Sequence, residues 1–211
     1  MKKLILFPLM ILSFSLIAQI EATTESGKKV ILNNDGTWSF KTESISPAMR
    51  FDKSDCKYET REVDDFSGQV KLRTKRIEIG RAKTKDRFHA SLARNGDYNF
   101  FMIKSITADL GCMVSMKSSV QLKMADGEIL EFIHIGDTDC SDGAPFRAFL
   151  VEGELEGLKD SELMQLQEET IRKLKSKPVN LIRVKGSEYY ADIILDKEGE
   201  AFFMKNLPCL E

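Results

Sequence analysis

Apolar and polar residues alternate most clearly over residues 112–124, where every second residue is apolar or small. This period of two is typical of a β-strand with one buried face. Asp126 and Gly127 follow and favour a two-residue type I′ turn, because both central residues of that turn need a positive φ. A second apolar run, residues 129–135, then returns along the first. The pattern predicts a β-hairpin over residues 112–140.

Other alternating or apolar stretches predict seven further strands, at residues 57–63, 69–80, 87–93, 98–106, 146–154, 179–184 and 189–195. The alternation slips by one residue at Lys75 and Arg76, which predicts a β-bulge inside the second of these strands. Turn residues separate many of the stretches. The strands are therefore expected to form an antiparallel meander of hairpins.

Apolar residues at spacings of three and four predict one amphipathic helix over residues 162–175. Asp160 or Ser161 is expected to cap it, and Pro178 to stop it. A short helix near the C terminus is expected to bury Ala201, Phe202 and Phe203. The predicted fold class is α+β: a mostly antiparallel β-sheet, one amphipathic helix, a short C-terminal helix and disulfide links.

The first 18 residues have the layout of a secretory signal peptide. A positively charged start precedes an apolar run over residues 4–17 and the small residue Ala18. Cleavage is expected after Ala18, with Ala22 as the alternative. An uncleaved anchor is the competing interpretation, although the run is shorter than the ~20 residues of a spanning helix. The protein is therefore expected to be exported, periplasmic or extracellular, without a transmembrane segment after cleavage.

Residues 19–55 are expected to form an N-terminal segment, and residues 56–211 the main α+β domain. Within the segment, a flexible start (residues 19–25) precedes a small hairpin (residues 26–40), and a polar linker follows. The hairpin carries Trp38 and Phe40, and the linker carries Met49 and Phe51. This aromatic arm is a candidate interaction surface, because an exposed Trp is a common interface anchor. The alternative is that Trp38 packs on its own domain.

Four cysteines occur, Cys56, Cys112, Cys140 and Cys209. An even number in an exported protein favours disulfide bonds. With a two-residue loop in the hairpin, Cys112 and Cys140 fall on adjacent rungs, and a small bulge would bring their sulfurs together. We predict a Cys112–Cys140 bond and, by elimination, a Cys56–Cys209 bond. A zinc site is the alternative, but no two cysteines have the C-x2-4-C spacing that it favours.

The charge balance excludes a strongly basic protein. The formal net charge of −2 becomes −4 once Lys2 and Lys3 leave with the signal peptide. Nucleic-acid binding needs a concentrated basic face, so no nucleic-acid partner is expected. The one Lys/Arg-rich strip, residues 71–85, is interrupted by Glu78 and divided between the two faces of a strand. We interpret this strip as a solvated strand surface.

Two parts of the chain resemble known sequences. The segment GKKVILNNDGTW (residues 27–38) resembles a hairpin that follows the signal peptide in exported proteins of Gram-negative bacteria. The main domain resembles a broader set of uncharacterised exported bacterial proteins through EVDDFSG (residues 62–68), KPVNLIRV (residues 177–184) and a terminal Leu-x-Cys-Leu (residues 207–210). The resemblance implies an exported location and a fold. It implies no activity, cofactor or catalytic residue.

Asp137, Asp139 and Asp142 form the most acidic turn and are a weak candidate for a calcium site. Calcium needs six to eight oxygen ligands, and an EF-hand loop needs Gly sixth and Glu twelfth. Counted from Asp137, Asp142 is sixth and Ala148 is twelfth, so the pattern fails. No metal and no cofactor are therefore expected.

Catalytic residues are not indicated by any motif. Ser141, His134 and either Asp137 or Asp139 could be imagined as a hydrolytic triad, but no nucleophile signature supports them. The carboxylates of Glu62, Asp64 and Asp65 could be imagined as a glycosidase pair; a solvated turn is the simpler interpretation.

The sequence thus favours a non-enzymatic binding or interaction module of the cell envelope, with an envelope protein or a glycan as partner. A periplasmic hydrolase that uses carboxylate or His134 chemistry is the alternative.

Overall fold

A computed structural model describes residues 20–23, 29–32, 36–40, 53–106 and 109–211. The chain divides into two compact units, Met1–Lys41 and Thr42–Glu211. The predicted signal peptide, residues 1–18, and the linker residues Met49 and Phe51 lie outside the described residues, so those expectations remain predictions. The boundary expected after residue 55 remains one as well.

The first unit contains a three-stranded antiparallel sheet, formed in spatial order by β1 (Ile20–Thr23), β2 (Lys29–Leu32) and β3 (Trp38–Phe40). The β2–β3 pair confirms the hairpin predicted over residues 26–40. The expectation of a flexible start over residues 19–25 is wrong, because β1 pairs with β2 and places Ile20 opposite Leu32. Four residues are too few for a clear alternation, so only the pairing with β2 reveals this strand.

The second unit contains one antiparallel sheet of ten strands: β4 (Tyr58–Val63), β5 (Val70–Thr74), β6 (Ile77–Ala82), β7 (Arg87–Asn95), β8 (Tyr98–Ser105), β9 (Ser119–Met124), β10 (Ile129–Ile133), β11 (Phe146–Phe149), β12 (Val179–Lys185) and β13 (Tyr190–Leu195). The main path runs β10–β9–β12–β13–β6–β7–β5–β4. β6 and β5 share one edge of the long strand β7, β8 pairs with its other edge, and β11 pairs with β8.

The sheet of the second unit curls until β10 lies beside β11. The backbone amide of Ile135 donates to the carbonyl oxygen of Arg147 at 2.8 Å, and the amide of Gly153 donates to that of Glu131 at 3.0 Å. An uncurled sheet would leave strands with unpaired edges, which are prone to association. The curl pairs part of these edges and encloses the core.

Phe101 of β8 lies at the centre of an aromatic core. Its ring centroid lies 5.0–6.4 Å from the rings of Phe132, Phe146, Phe202 and Phe203. These rings come from β10, β11 and the C-terminal region, so the last residues of the chain complete the core. All five side chains are almost fully buried, and burying an aromatic side chain stabilises a fold by about 1.5–3 kcal/mol.

The helices are α1 (Asp160–Ser176), α2 (Lys197–Glu200) and α3 (Phe202–Asn206), and a 3-10 helix (Leu207–Leu210) ends the chain. The expected caps of α1, Asp160 and Ser161, are wrong. Lys159 is the N-cap residue, and its backbone amide donates to the Glu162 carboxylate at 2.9 Å. The Glu162 side chain thus binds the amide of the N-cap residue, as the glutamate of a capping box does.

The long strand predicted over residues 69–80 is in fact two strands, β5 and β6. At the break, the backbone amide of Leu92 donates to the Thr74 hydroxyl at 2.9 Å, and that hydroxyl lies 3.3 Å from the Leu92 carbonyl oxygen. A side chain thus takes over the pairing with β7 where β5 leaves it. The slipped alternation at Lys75 and Arg76 marked the correct place, but it signals a break rather than a bulge.

The hairpin loop has three residues, not two. Met124 donates its amide to the Glu128 carbonyl oxygen at 2.8 Å, so Ala125, Asp126 and Gly127 form the loop, and Gly127 has a φ of +93°. Three-residue hairpin loops commonly place glycine in this left-handed region. The strand before the loop is also shorter than predicted, since β9 begins at Ser119 and Met113 forms only an isolated bridge with Asp139.

Both disulfides form as predicted, Cys112–Cys140 and Cys56–Cys209. The three-residue loop favours the first bond without the expected bulge, because it places Cys112 directly opposite Cys140. Met113 and Asp139 exchange two backbone hydrogen bonds of 2.7 and 3.0 Å. The neighbouring pair in such a ladder is a close one without hydrogen bonds, and the Cα atoms of Cys112 and Cys140 are 4.0 Å apart.

Candidate functional site

The acidic turn, residues 137–142, uses its central carboxylate internally. Asp139 accepts hydrogen bonds from the amide and the hydroxyl of Ser141, at 2.9 and 2.7 Å. These bonds, the hydroxyl bond first, lower the pKa of Asp139 below its ordinary value. Ser141 therefore donates to Asp139 and not to His134, and the two residues do not form the nucleophile–base pair of a triad.

His134 is a buried residue just beyond the end of β10, with 2% of its surface exposed. Its Nδ1 accepts the backbone amide hydrogen of Arg147 at 3.0 Å, and its ring lies 5.6 Å from that of Phe146. Burial lowers the pKa of His134, and backbone groups of Asp137 and Arg147 oppose that shift. The imidazole joins the end of β10 to β11, which is a structural position rather than a surface one.

The carboxylates near the first turn of the second unit are also engaged or solvated. Asp64 accepts hydrogen bonds from the amide and hydroxyl of Ser67 at 2.7 and 2.8 Å, and these lower its pKa. Glu62 and Asp65 are exposed. His89 lies on β7 opposite Glu78, as a residue on the face of a strand.

No three His, Cys, Asp or Glu side chains among the described residues are arranged so that they could hold a metal ion. Asp137 and Asp142 lie exposed on either side of Asp139. None of the helices in the described part of the chain is long and apolar enough to cross a membrane.

A concave region of about 590 Å³ lies between α1 and the C terminus. Gln167, which is 3% exposed, closes one side of it. Its side chain accepts from the amide of Asn99 at 2.7 Å and donates to the carbonyl of Asp97 at 2.9 Å. Lys175 forms an ion pair with Glu211 across the same region. Charges of both signs line it and partly neutralise each other, so it selects no charge type.

A second concave region has cationic walls, and we call it the cationic groove. It measures about 490 Å³ and is lined by Thr60, Lys71, Leu72, Arg73, Ala93, Arg94, Asn95, Phe100, Met102, Ile135 and Arg147. Four of these residues carry a positive charge and none carries a negative one. The volume lies within the ~300–1,000 Å³ range of small-molecule sites.

The outward faces of four neighbouring strands build the cationic groove. Arg73 of β5 pairs with Ala93 of β7, which pairs with Phe100 of β8. Met102 of β8 pairs with Arg147 of β11. Side chains alternate between the two faces of a strand, so these outward residues share one surface while their neighbours fill the core.

Three of the four groove cations have no close partner among the described residues. Within the described part of the chain, the side chains of Lys71, Arg73 and Arg147 make no hydrogen bond and no ion pair. Arg94 differs, because its guanidinium donates to the carbonyl oxygens of Gly96 and Leu210 at 2.7 and 2.9 Å. Three charges therefore remain available to a ligand.

Three carboxylates lie near the cationic groove without lining it. Glu62 is the cross-strand neighbour of Lys71, and Lys71 contributes, after the hydrogen bonds within the turn, to the lowered pKa of Asp64. Arg147 contributes, after Ser141, to the lowered pKa of Asp139. They reduce the positive potential at Lys71 and Arg147, at the two ends of the groove.

The sequence pattern did not identify the cationic groove. The Lys/Arg-rich strip over residues 71–85 was interpreted as a solvated strand surface. Lys71 and Arg73 lie on an exposed face of that strip. Arg147 comes from a strand 74 residues beyond Arg73 in the chain, so only the tertiary structure joins them. The available signal was the alternation of β5 and β11, in which the cations occupy outward positions.

The aromatic arm remains a prediction. Trp38 and Phe40 lie on β3, where the structure describes the backbone pairing with β2, and Met49 and Phe51 lie outside the described residues. Comparison with protein-family models, with curated proteins and with solved structures finds no match for this chain.

Proposed function

We propose that this protein is exported and acts as a non-enzymatic binding module of the cell envelope, and that the cationic groove is its binding site. The observation that carries the proposal is a groove without a lining carboxylate whose cations Lys71, Arg73 and Arg147 make no hydrogen bond and no ion pair among the described residues. The ligand is therefore an anion.

Physical chemistry supports a binding role for these cations. Arginine presents a planar fork of donors that matches carboxylate and phosphate groups. Clustered like charges repel each other, so these cations add nothing to the stability of the fold unless an anion is bound between them. The carboxylates of Asp139 and Asp64, in contrast, already have protein partners.

Export is supported by the signal-peptide pattern and is compatible with the two disulfides, which persist in oxidising compartments. The binding role, rather than a hydrolytic one, is supported by the burial of His134 and by the hydrogen bond from Ser141 to Asp139.

Calorimetric titration with octanoate at low ionic strength tests the proposal. Low salt is needed because exposed charges are screened over about 10 Å at 0.1 M. We expect wild-type protein to bind and the Arg73→Gln/Arg147→Gln double variant to bind at least about tenfold more weakly. The matched control is Lys75→Gln/Arg76→Gln, which removes two exposed cations beside β5 but outside the groove. Equal affinity in all three proteins would contradict the proposal.

A further inference from the structure

We propose that the ligand of the cationic groove is a two-headed anion, in which a short apolar segment separates two acidic groups. This inference rests on the proposed function, because it names the ligand class of the same groove. It follows from how charged and apolar residues are distributed over the groove.

The two guanidinium groups come from opposite margins of the cationic groove. Arg73 lies on β5 and Arg147 on β11, with β7 and β8 between them. Three strand spacings of about 4.8 Å separate the two backbones by about 14 Å. Strand side chains stand roughly perpendicular to the sheet, so in that orientation the two guanidinium groups are about as far apart as the backbones, and one carboxylate or phosphate group is too small to contact both.

The floor between the two arginines is apolar. Ala93, Phe100 and Met102 lie there, and Ile135 adjoins Arg147. Each of these side chains is only partly buried, so the protein leaves apolar surface uncovered between its cations. Apolar segments of a ligand are stabilised on such a floor by removal from water, at about 25 cal/mol per Å².

The distribution of charge favours a two-headed ligand over the other anions. A hydrophilic polyanion would need cations along its whole path, but the floor offers none between Arg73 and Arg147. A ligand with one acidic group would leave one arginine without a partner. An apolar segment with an acidic group at each end matches Arg73, the apolar floor and Arg147 together.

The two margins of the groove differ in the amount of positive charge that they carry. The β5 margin carries Lys71 beside Arg73, whereas Arg147 is the one cation among the lining residues at the β11 margin. The head that meets the β5 margin can therefore carry more negative charge, as a phosphate does in comparison with a carboxylate.

A chain-length series of simple acids tests this inference. The probes are α,ω-dicarboxylates from succinate to dodecanedioate and the monocarboxylates from butyrate to dodecanoate. Calorimetry on the full chain at low ionic strength gives each affinity. We expect one dicarboxylate length to bind at least about tenfold more tightly than its monocarboxylate, because it gains a second charge-assisted contact.

Single variants identify the two heads. We expect either Arg73→Gln or Arg147→Gln to remove the advantage of the dicarboxylate and to leave affinity near that of the monocarboxylate. The control Lys75→Gln should retain the full advantage. Circular dichroism of each variant verifies that it is folded.

Three results would overturn the inference. If mono- and dicarboxylates bind equally at every length and both weaken in the two arginine variants, the groove binds anions but the two-headed ligand is wrong. If no probe responds to either variant, the proposed function fails as well. If the protein binds phosphatidylglycerol vesicles and none of the free acids, a membrane surface replaces the two-headed ligand.

Discussion

The acidic turn and the cationic groove lie near each other on the second unit, and they use their charges in different ways. In the turn, Asp139 accepts two hydrogen bonds from Ser141 beside the Cys112–Cys140 bond. In the groove, the side chains of Arg73 and Arg147 make no hydrogen bond and no ion pair within the described residues. Charges that the protein pairs internally contribute to the fold, whereas charges that it leaves unpaired are available for binding. The comparison predicts that changes at the turn alter stability and changes in the groove alter binding.

Among changes at the acidic turn and in the groove, the largest expected effect comes from the disulfide beside the turn. The Cys112→Ala/Cys140→Ala variant should lose about 3.5 kcal/mol of unfolding free energy, since the bond closes a loop over a sequence separation of 28 residues. Urea unfolding measures this loss. Octanoate affinity should be unchanged at temperatures where the variant is folded. A variant that loses binding while it remains folded would show that the turn shapes the groove. The separation of stability from binding would then be wrong.

The next effect concerns His134, which joins the end of β10 to β11. His134→Leu should lower the unfolding free energy by about 1–3 kcal/mol, because the partly buried hydrogen bond from the amide of Arg147 loses its acceptor. His134→Asn is the matched control, since its side-chain oxygen can accept from the same amide. Urea unfolding of the two variants at pH 7.5 compares them; equal stability would mean that the hydrogen bond contributes little.

The same residue predicts a pH dependence with a definite sign. Burial lowers the pKa of His134 below its ordinary value of 6.5, so the unfolded chain binds the proton more readily than the folded one. Stability is therefore complete above about pH 6.5 and falls as the pH drops from there toward the folded pKa. His89 adds a dependence of the same sign. His134→Asn retains His89, so its unfolding free energy should vary less between pH 7.5 and 5.5 than that of the wild type.

Local patterns predicted more of the hairpin over residues 112–140 than of the groove. Alternation placed Val120, Leu122 and Met124 on one buried face, and all three are buried. The disulfide pairing was correct although the loop was one residue longer than expected, because this difference moved the cysteines from adjacent rungs to facing positions. Residues close in sequence determine such features.

The groove could not be predicted in this way because it depends on long-range pairing. Arg73 and Arg147 share a surface only because β7 and β8 separate β5 from β11. An outward cation on an isolated strand is indistinguishable from a solvated one. The order of the strands in the sheet, which the alternation does not specify, distinguishes the two.

Asp139 should have a smaller effect than His134, and only toward acid pH. Ser141 lowers the pKa of Asp139 below its ordinary value of 3.8, so its contribution is present above about pH 3.8 and is lost as the pH falls through the folded pKa. Asp139→Asn should remove this part of the acid-induced loss of stability, as measured by thermal unfolding between pH 2.5 and 5. An unchanged acid profile would mean that the bonds from Ser141 do not persist in solution.

The smallest effect on stability is expected in the groove. Arg73→Gln/Arg147→Gln should change the unfolding free energy by no more than about 0.5 kcal/mol, because neither side chain loses a partner and surface substitutions rarely exceed this value. A slight increase in stability at low salt is the expected direction, since the change removes two of four like charges. The Lys75→Gln/Arg76→Gln control provides the background for urea unfolding. A loss of several kcal/mol in the groove variant alone would show that these arginines hold the fold together, and the contrast between paired acids and unpaired bases would no longer distinguish structure from binding.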